Sequence, residues 1–209
     1  KNTFKHIEFK EIKTEKVTGP DYYSELNKSD VQIYNTLDYR HWDKWNTGNH
    51  NHVFISDKNG NETDIMAEEP YDCPQKPFGG DEDFIWSPDG SKVIYVCKKK
   101  FGTEYAISTN TNLYEYDVQT KTTKNLTESN LGYDVAPQFS PNGELSWLRM
   151  KHDGYEADKN DIMVRQNNID INLTANWDGT VDSFSWSSDG SKVYFLAPVD
   201  GTKQLFEVN

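Results

Sequence analysis

Three times the chain writes an aromatic residue, a turn of the Ser-Pro-Asp-Gly kind and an apolar run: Trp86-Ser87-Pro88-Asp89-Gly90, Phe139-Ser140-Pro141-Asn142-Gly143 and Trp186-Ser187-Ser188-Asp189-Gly190. The copies begin about 53 and about 47 residues apart, in the range of a four-stranded propeller blade and outside that of leucine-rich or ankyrin repeats. Each turn has its own chemistry. Pro88 and Pro141 preset φ, and Gly90 and Gly143 supply a position where φ can be positive. The runs that follow, Lys92-Val93-Ile94-Tyr95-Val96 and Lys192-Val193-Tyr194-Phe195-Leu196, are β-branched and aromatic, as half-buried strands require.

A second phrase recurs downstream, Asn125-Leu126-Thr127 and Asn172-Leu173-Thr174, each after a strand-like segment. Four strands per repeat follow. One blade then reads strands at 84–86, 93–97, 112–117 and 123–127, and the next at 137–139, 144–150, 161–165 and 170–174. Upstream, strands are expected at 4–12, 52–56 and 62–66 without a turn motif to open them, and downstream a third strand ends at 206–208. The expected fold class is all-β: a partial β-propeller of four-stranded antiparallel blades, two complete and two incomplete. Its segments are 1–66 (a partial blade with a long insertion), 83–127, 136–174 and 182–209 (a partial blade).

Composition agrees. Apolar residues make up 34% of the chain and aromatics 13%, and no long stripe of period 3.6 is present, so a helical fold is disfavoured. The net charge of −12 argues against nucleic acid or an anionic membrane surface as a partner. No stretch has the apolar length of a membrane span, and residues 1–20 are too charged for a signal peptide.

No metal and no cofactor is expected. The five histidines fall into no zinc-ligand spacing; His50 and His52 share a strand face and could ligate, but read more simply as polar residues at a strand start. Cys73 and Cys97 could be bridged or could be two unrelated thiols. There is no Gly-x-Ser-x-Gly elbow and no phosphate loop, and the many carboxylate pairs are what an acidic chain contains by chance. No catalytic residue is expected in this chain.

Three insertions, 13–51, 98–111 and 151–160, carry its individuality, all between the second and third strands of a blade. Connections at that position emerge on one face of a propeller, and loops on a rigid scaffold are where binding usually sits. The first insertion holds Tyr39-Arg40-His41-Trp42-Asp43-Lys44-Trp45. Arg40 and Trp42 could anchor a partner or ligand. Equally, Trp42 and Trp45 could plug the blade's own edge, with Arg40 paired to a carboxylate. The third insertion sets Tyr155 beside Glu156, whose carboxylate could hold a peptide amino group, although the loop also reads as a solvated Asp153-Gly154 turn.

Taken together, residues 30–40 running into His52-Val53-Phe54-Ile55, with Trp86-Ser87-Pro88-Asp89-Gly90, Tyr105-Ala106-Ile107-Ser108-Thr109-Asn110 and Gly154-Tyr155-Glu156-Ala157-Asp158-Lys159-Asn160, resemble the propeller of the prolyl oligopeptidase family of serine peptidases. The resemblance is to its dipeptidyl-peptidase and acylaminoacyl-peptidase-like members of the Bacteroidetes type. The turn repeat alone is shared with TolB-like propellers and sugar lyases.

The resemblance implies an N-terminal propeller that gates a C-terminal α/β-hydrolase domain, which is lacking here, and acts on peptide substrates outside the cytoplasm, as in a periplasm. It makes Glu156 and Tyr155 candidates for the substrate amino end, and Arg40 and Trp42 candidates for the cavity or domain interface. The other reading is a TolB-like protein-binding propeller with no enzyme attached. Open sheet edges would favour a homo-oligomer in either case.

Overall fold

The computed structural model describes residues 4–209, with side chains from His6 onward. It is all-β, in several antiparallel sheets of three or four strands, and divides into two compact units.

The first unit comprises residues 1–81 and 97–108. Strand β1 (Phe4–Lys13) leads into the long insertion, which contains one short helix, α1 (Gly19–Tyr22), and a two-stranded ribbon of β2 (Arg40–His41) and β3 (Lys44–Trp45). The chain then forms β4 (Asn49–Asp57) and β5 (Glu62–Asp64), giving a sheet in the order β1-β4-β5. Ile7 pairs with Ile55 and Phe9 with Val53 across β1 and β4.

The insertion is anchored by its backbone. Thr14 and Glu15 both donate N–H to Gly48 O, and Ile33 N–H reaches Val17 O at 2.8 Å. Gly48 has φ +74, and a Cβ there would meet Glu15 O at 2.4 Å, so this closure requires glycine. Asp21 caps α1, accepting from the N–H groups of Val17 (2.9 Å) and Thr18 (2.7 Å) and from the Lys13 ammonium (2.8 Å).

The second unit comprises residues 82–96 and 109–209. Its first sheet has the order β6 (Phe84–Trp86), β7 (Lys92–Cys97), β8 (Asn112–Asp117) and β9 (Thr122–Asn125); helix α2 (Thr103–Ile107), between β7 and β8 in sequence, belongs to the first unit. The second is β10 (Asp134–Phe139), β11 (Leu145–Arg149), β12 (Asp161–Gln166) and β13 (Ile169–Asn172). The third is β14 (Ser183–Trp186), β15 (Val193–Val199) and β16 (Thr202–Val208).

Consecutive sheets of this unit pack face to face. Ile94, Val96 and Leu113 of the first meet Leu145, Trp147 and Met163 of the second. Leu148 and Ile162 of the second meet Phe184, Val193, Phe195 and Ala197 of the third. These cores draw mainly on the strand that follows each turn motif, β7, β11 and β15, with Leu113, Ile162 and Met163 added from the third strands, so the repeated sequence phrase contributes to a repeated interface.

The turn works through its serine. Ser87 Oγ donates to Asp89 at 2.6 Å and accepts Lys92 N–H at 3.0 Å; Ser187 does the same with Asp189 (2.6 Å) and Lys192 (2.9 Å). The middle copy is one residue shorter, and Ser140 Oγ accepts Glu144 N–H at 3.0 Å. Gly90, Gly143 and Gly190 all have positive φ.

Strand β10 differs from the sequence expectation, beginning at Asp134 rather than at residue 137. The register shifts between Val135 and Gln138, and Ala136 sits at φ +52. That bulge interrupts the alternation of side chains by which a strand is read.

Candidate functional site

The first unit contains a cleft with about 80 Å³ of free volume, lined by residues from four separate stretches of chain, among them Glu15, Asp38, Arg40, His50, Asp72 and Lys100. Strand β4 supplies His50, which is buried and hydrogen-bonded through Nδ1 to Thr14 Oγ1. Its Nε2 faces Glu15 at 3.9 Å and Asp72 at 4.0 Å, so the ring sits between two carboxylates without a close bond to either. Burial, with the nearby Lys76 charge, pulls the His50 pKa down to about 4.

Asp72 is also buried. It accepts Asn51 N–H at 2.7 Å and lies 3.7 Å from Lys76 Nζ, yet burial outweighs both and pushes its pKa up to about 6. Burial lifts the Asp38 carboxyl to about 6 as well, against the pull of Lys98 and with Glu15 adding to the rise. The strand-mate of His50 is differently placed. His52 is bonded on both ring nitrogens, to Asp64 at 2.8 Å and to Glu69 O at 2.9 Å. Burial opposes its charge, but the Asp64 bond prevails and its pKa is raised. With both nitrogens engaged it is a structural residue. No group of three or more potential metal ligands is found among the described residues.

Beside the cleft, and sharing Trp45 and Phe101 with it, runs an open groove of about 800 Å³. Tyr34, Tyr39 and Trp45 line it as a mutually packed trio, with ring centroids 5.8 to 6.2 Å apart. Arg40 lies over the Trp45 ring at 5.8 Å and has no carboxylate partner among the described residues. Trp42 is 74% exposed and touches Phe78 edge-on at 6.0 Å. The plug reading of this segment is therefore corrected. Trp42 and Trp45 sit on a two-stranded ribbon too short to bury them, and Arg40 pairs with an aromatic ring rather than an acid.

Tyr155 and Glu156 belong to the second unit, at the exposed tip of the 151–160 loop. The base of that loop is tied down. Asp158 Oδ2 accepts the N–H groups of Lys151 and His152 (3.0 Å each) and the His152 ring (2.9 Å), and burial notwithstanding, these bonds hold its pKa near 2. Asp153 accepts Thr109 N–H at 2.8 Å and Thr109 Oγ1 accepts Gly154 N–H at 2.9 Å. The tip is thus presented by a fixed base. Cys73 and Cys97 are buried and are not joined by a disulfide.

Sequence reasoning named Arg40 and Trp42, and named His50 only as a candidate ligand or a polar residue at a strand start; it missed the cleft's carboxylates. Their one common sequence signal is polarity inside or beside a strand, which does not distinguish a cleft wall from a solvated edge.

Successive antiparallel sheets, stacked face to face and opened by the same serine-anchored turn, are the architecture of a β-propeller. TolB from Acinetobacter baumannii superposes with a TM-score of 0.50 at 18% identity, covering 75% of this chain and 34% of that one. No family model matches the sequence. Dipeptidyl-peptidase 5 of Porphyromonas gingivalis is 39% identical over 208 residues, 95% of this chain and 30% of that protein. Its namesake from Schizosaccharomyces pombe is 30% identical over 202 residues, 89% of this chain and 28% of that protein. The chain is homologous to the dipeptidyl-peptidase 5 proteins over nearly its whole length, and spans about a third of theirs. No helix among the described residues is long and apolar enough to cross a membrane.

Proposed function

We propose that this chain is the non-catalytic propeller portion of a serine exopeptidase that releases short peptides from the N-terminus of its substrates. On this reading the four sheets are blades, two of them complete, of a propeller that gates an α/β-hydrolase domain and helps bind the substrate amino end. The observation that carries it is the 39% identity to a dipeptidyl-peptidase 5 across 95% of the chain. The loop tip at Tyr155 and Glu156 offers an exposed carboxylate on a fixed base for the amino group, and Arg40 and Trp42 offer an exposed surface for substrate or for the hydrolase domain. The location that accompanies this reading is periplasmic.

The likeness to TolB supports a second reading, a protein-binding propeller with no enzyme attached. The two separate on one assay. The complete protein is incubated with dipeptidyl anilides bearing a free or an acetylated amino end, with and without a fluorophosphonate that labels active serines. Release from the free-amino substrate, abolished by the label, supports the peptidase; no release from either substrate makes the binding propeller the better account.

A further inference from the structure

The cleft of the first unit contains charges of both signs that do not neutralise one another. The Asp38 carboxylate has neither a hydrogen bond nor an ion pair among the described residues, although burial raises its pKa to about 6. The nearest basic nitrogen to Glu15 is that of His50, at 3.9 Å. On the same cleft Arg40, Lys44 and Lys100 have no carboxylate partner among the described residues. Asp72 and Lys76, in contrast, are paired with each other. In a chain of net charge −12, three cations line one cleft, Arg40 and Lys44 exposed and Lys100 partly buried, beside a partly buried carboxylate that feels the Lys98 charge without bonding to it.

Asp38 is partly buried and has no donor to its carboxylate, so a ligand ammonium there would supply one, and the exposed Arg40 and partly buried Lys100 are open to a ligand carboxylate. The free volume of about 80 Å³ is the space of a few water molecules, enough for charged chain ends and too little for a whole peptide. The adjoining groove, with Tyr34, Tyr39, Trp45 and Phe101, offers flat apolar faces for whatever projects from those ends.

We infer that this cleft binds a free short peptide as a zwitterion, its ammonium at Asp38 and its carboxylate at Arg40 and Lys100, with a side chain laid along the aromatic groove. Binding of this kind goes beyond the peptidase reading and is independent of it. It places a recognition site for free peptides, rather than for the end of a long substrate, on the insertion itself.

The test is calorimetric titration of the complete protein with the dipeptide Ala-Phe, with acetyl-Ala-Phe and with Ala-Phe amide. Because it reads binding and not turnover, it succeeds or fails whether or not the protein hydrolyses peptides. Blocking either end is expected to weaken binding about tenfold or more. In Asp38→Asn the free and acetylated peptides should bind alike. In Lys100→Gln, and separately in Arg40→Gln, the acid and the amide should bind alike. Two independent sites of substitution keep the test decisive if one variant fails to fold. Absence of Ala-Phe binding at millimolar concentration overturns the inference. So does equal binding of the blocked peptides, dependence on only one of the two ends, or retention of both preferences in folded variants, which would place the dipeptide elsewhere.

Discussion

Trp147 donates its indole N–H to Asp134 across 2.6 Å, with both side chains sealed from solvent. The same carboxylate accepts from Arg149 Nε at 2.7 Å and Asn130 Nδ2 at 3.0 Å. Arg149 and Arg165 lie over the Trp147 ring at 5.2 and 5.3 Å, and Asp170 joins the two guanidinium groups. One charged group thus holds the start of β10 to the end of β11, its antiparallel neighbour, while the indole fills the core between two sheets.

Removing that carboxylate leaves a largely buried guanidinium and an indole N–H without their acceptor. Asp134→Ala should cost about 3 kcal/mol or more in urea unfolding, and Trp147→Phe, which also loses ring volume, about 2 kcal/mol. A loss below about 1 kcal/mol for Asp134→Ala would mean that water replaces the acid and that the network is not structural.

The repeated Asn-Leu-Thr phrase has an equally local role. Thr127 Oγ1 accepts Leu113 N–H at 3.0 Å, and Thr174 Oγ1 accepts Ile162 N–H at 3.1 Å. The leucine between them packs into a core, Leu126 in one interface and Leu173 in the next. Thr127→Val keeps the shape and strands a buried donor, so it should destabilise by about 1–3 kcal/mol. Thr174→Val should match it, whereas Thr123→Val on the exposed edge should stay within about 0.5 kcal/mol. Equal effects at positions 123 and 127 would refute this account of the phrase.

Those phrases explain why most of the strands were legible in the sequence. Turn, β-branched run and Asn-Leu-Thr each repeat because each makes the same bond in successive sheets. What was not legible lies where the chain departs from repetition. The bulge at Ala136 hid the start of β10. Helix α1 has four residues, too few for any helical period to appear. The cleft draws Glu15, Asp38, His50, Asp72 and Lys100 from distant positions through pairings such as Cys73 N–H to Asn51 O, which no local pattern announces.

Acid should act on His50 in a defined direction. Its folded pKa of about 4 lies below the ordinary value of 6.5, so between those values the unfolded chain binds more protons and stability is lost as pH falls from about 6.5 to about 4. Asp72 and Asp134, both raised by burial to about 6, act oppositely: the folded state holds the extra protons, and stability falls as pH rises through about 4 to 6. His50→Gln removes only the first effect. Between about pH 7 and about pH 4.5 the variant should therefore gain on the order of 2 kcal/mol relative to the unsubstituted protein in urea unfolding. Parallel pH profiles for the two proteins would show that His50 is free to ionise in the fold.

The proposed contacts with substrate are separable from stability because their side chains are exposed. Glu156 stands at a loop tip whose base is fixed by Asp153, Asp158 and Thr109, and Trp42 makes only an edge contact with Phe78. Alanine at Glu156, Arg40 or Trp42 should leave urea unfolding within about 0.5 kcal/mol of the parent. In the complete protein, Glu156→Ala should raise KM for a free-amino dipeptidyl substrate about tenfold, the worth of one charge-assisted hydrogen bond, with Tyr155→Ala following in the same direction. Arg40→Ala and Trp42→Ala should lower kcat/KM if they line the substrate cavity, or loosen the hydrolase domain in limited proteolysis if they lie at its interface. Unchanged turnover, KM and proteolysis in all four variants would remove these residues from peptide handling and leave partner binding as the function of the propeller.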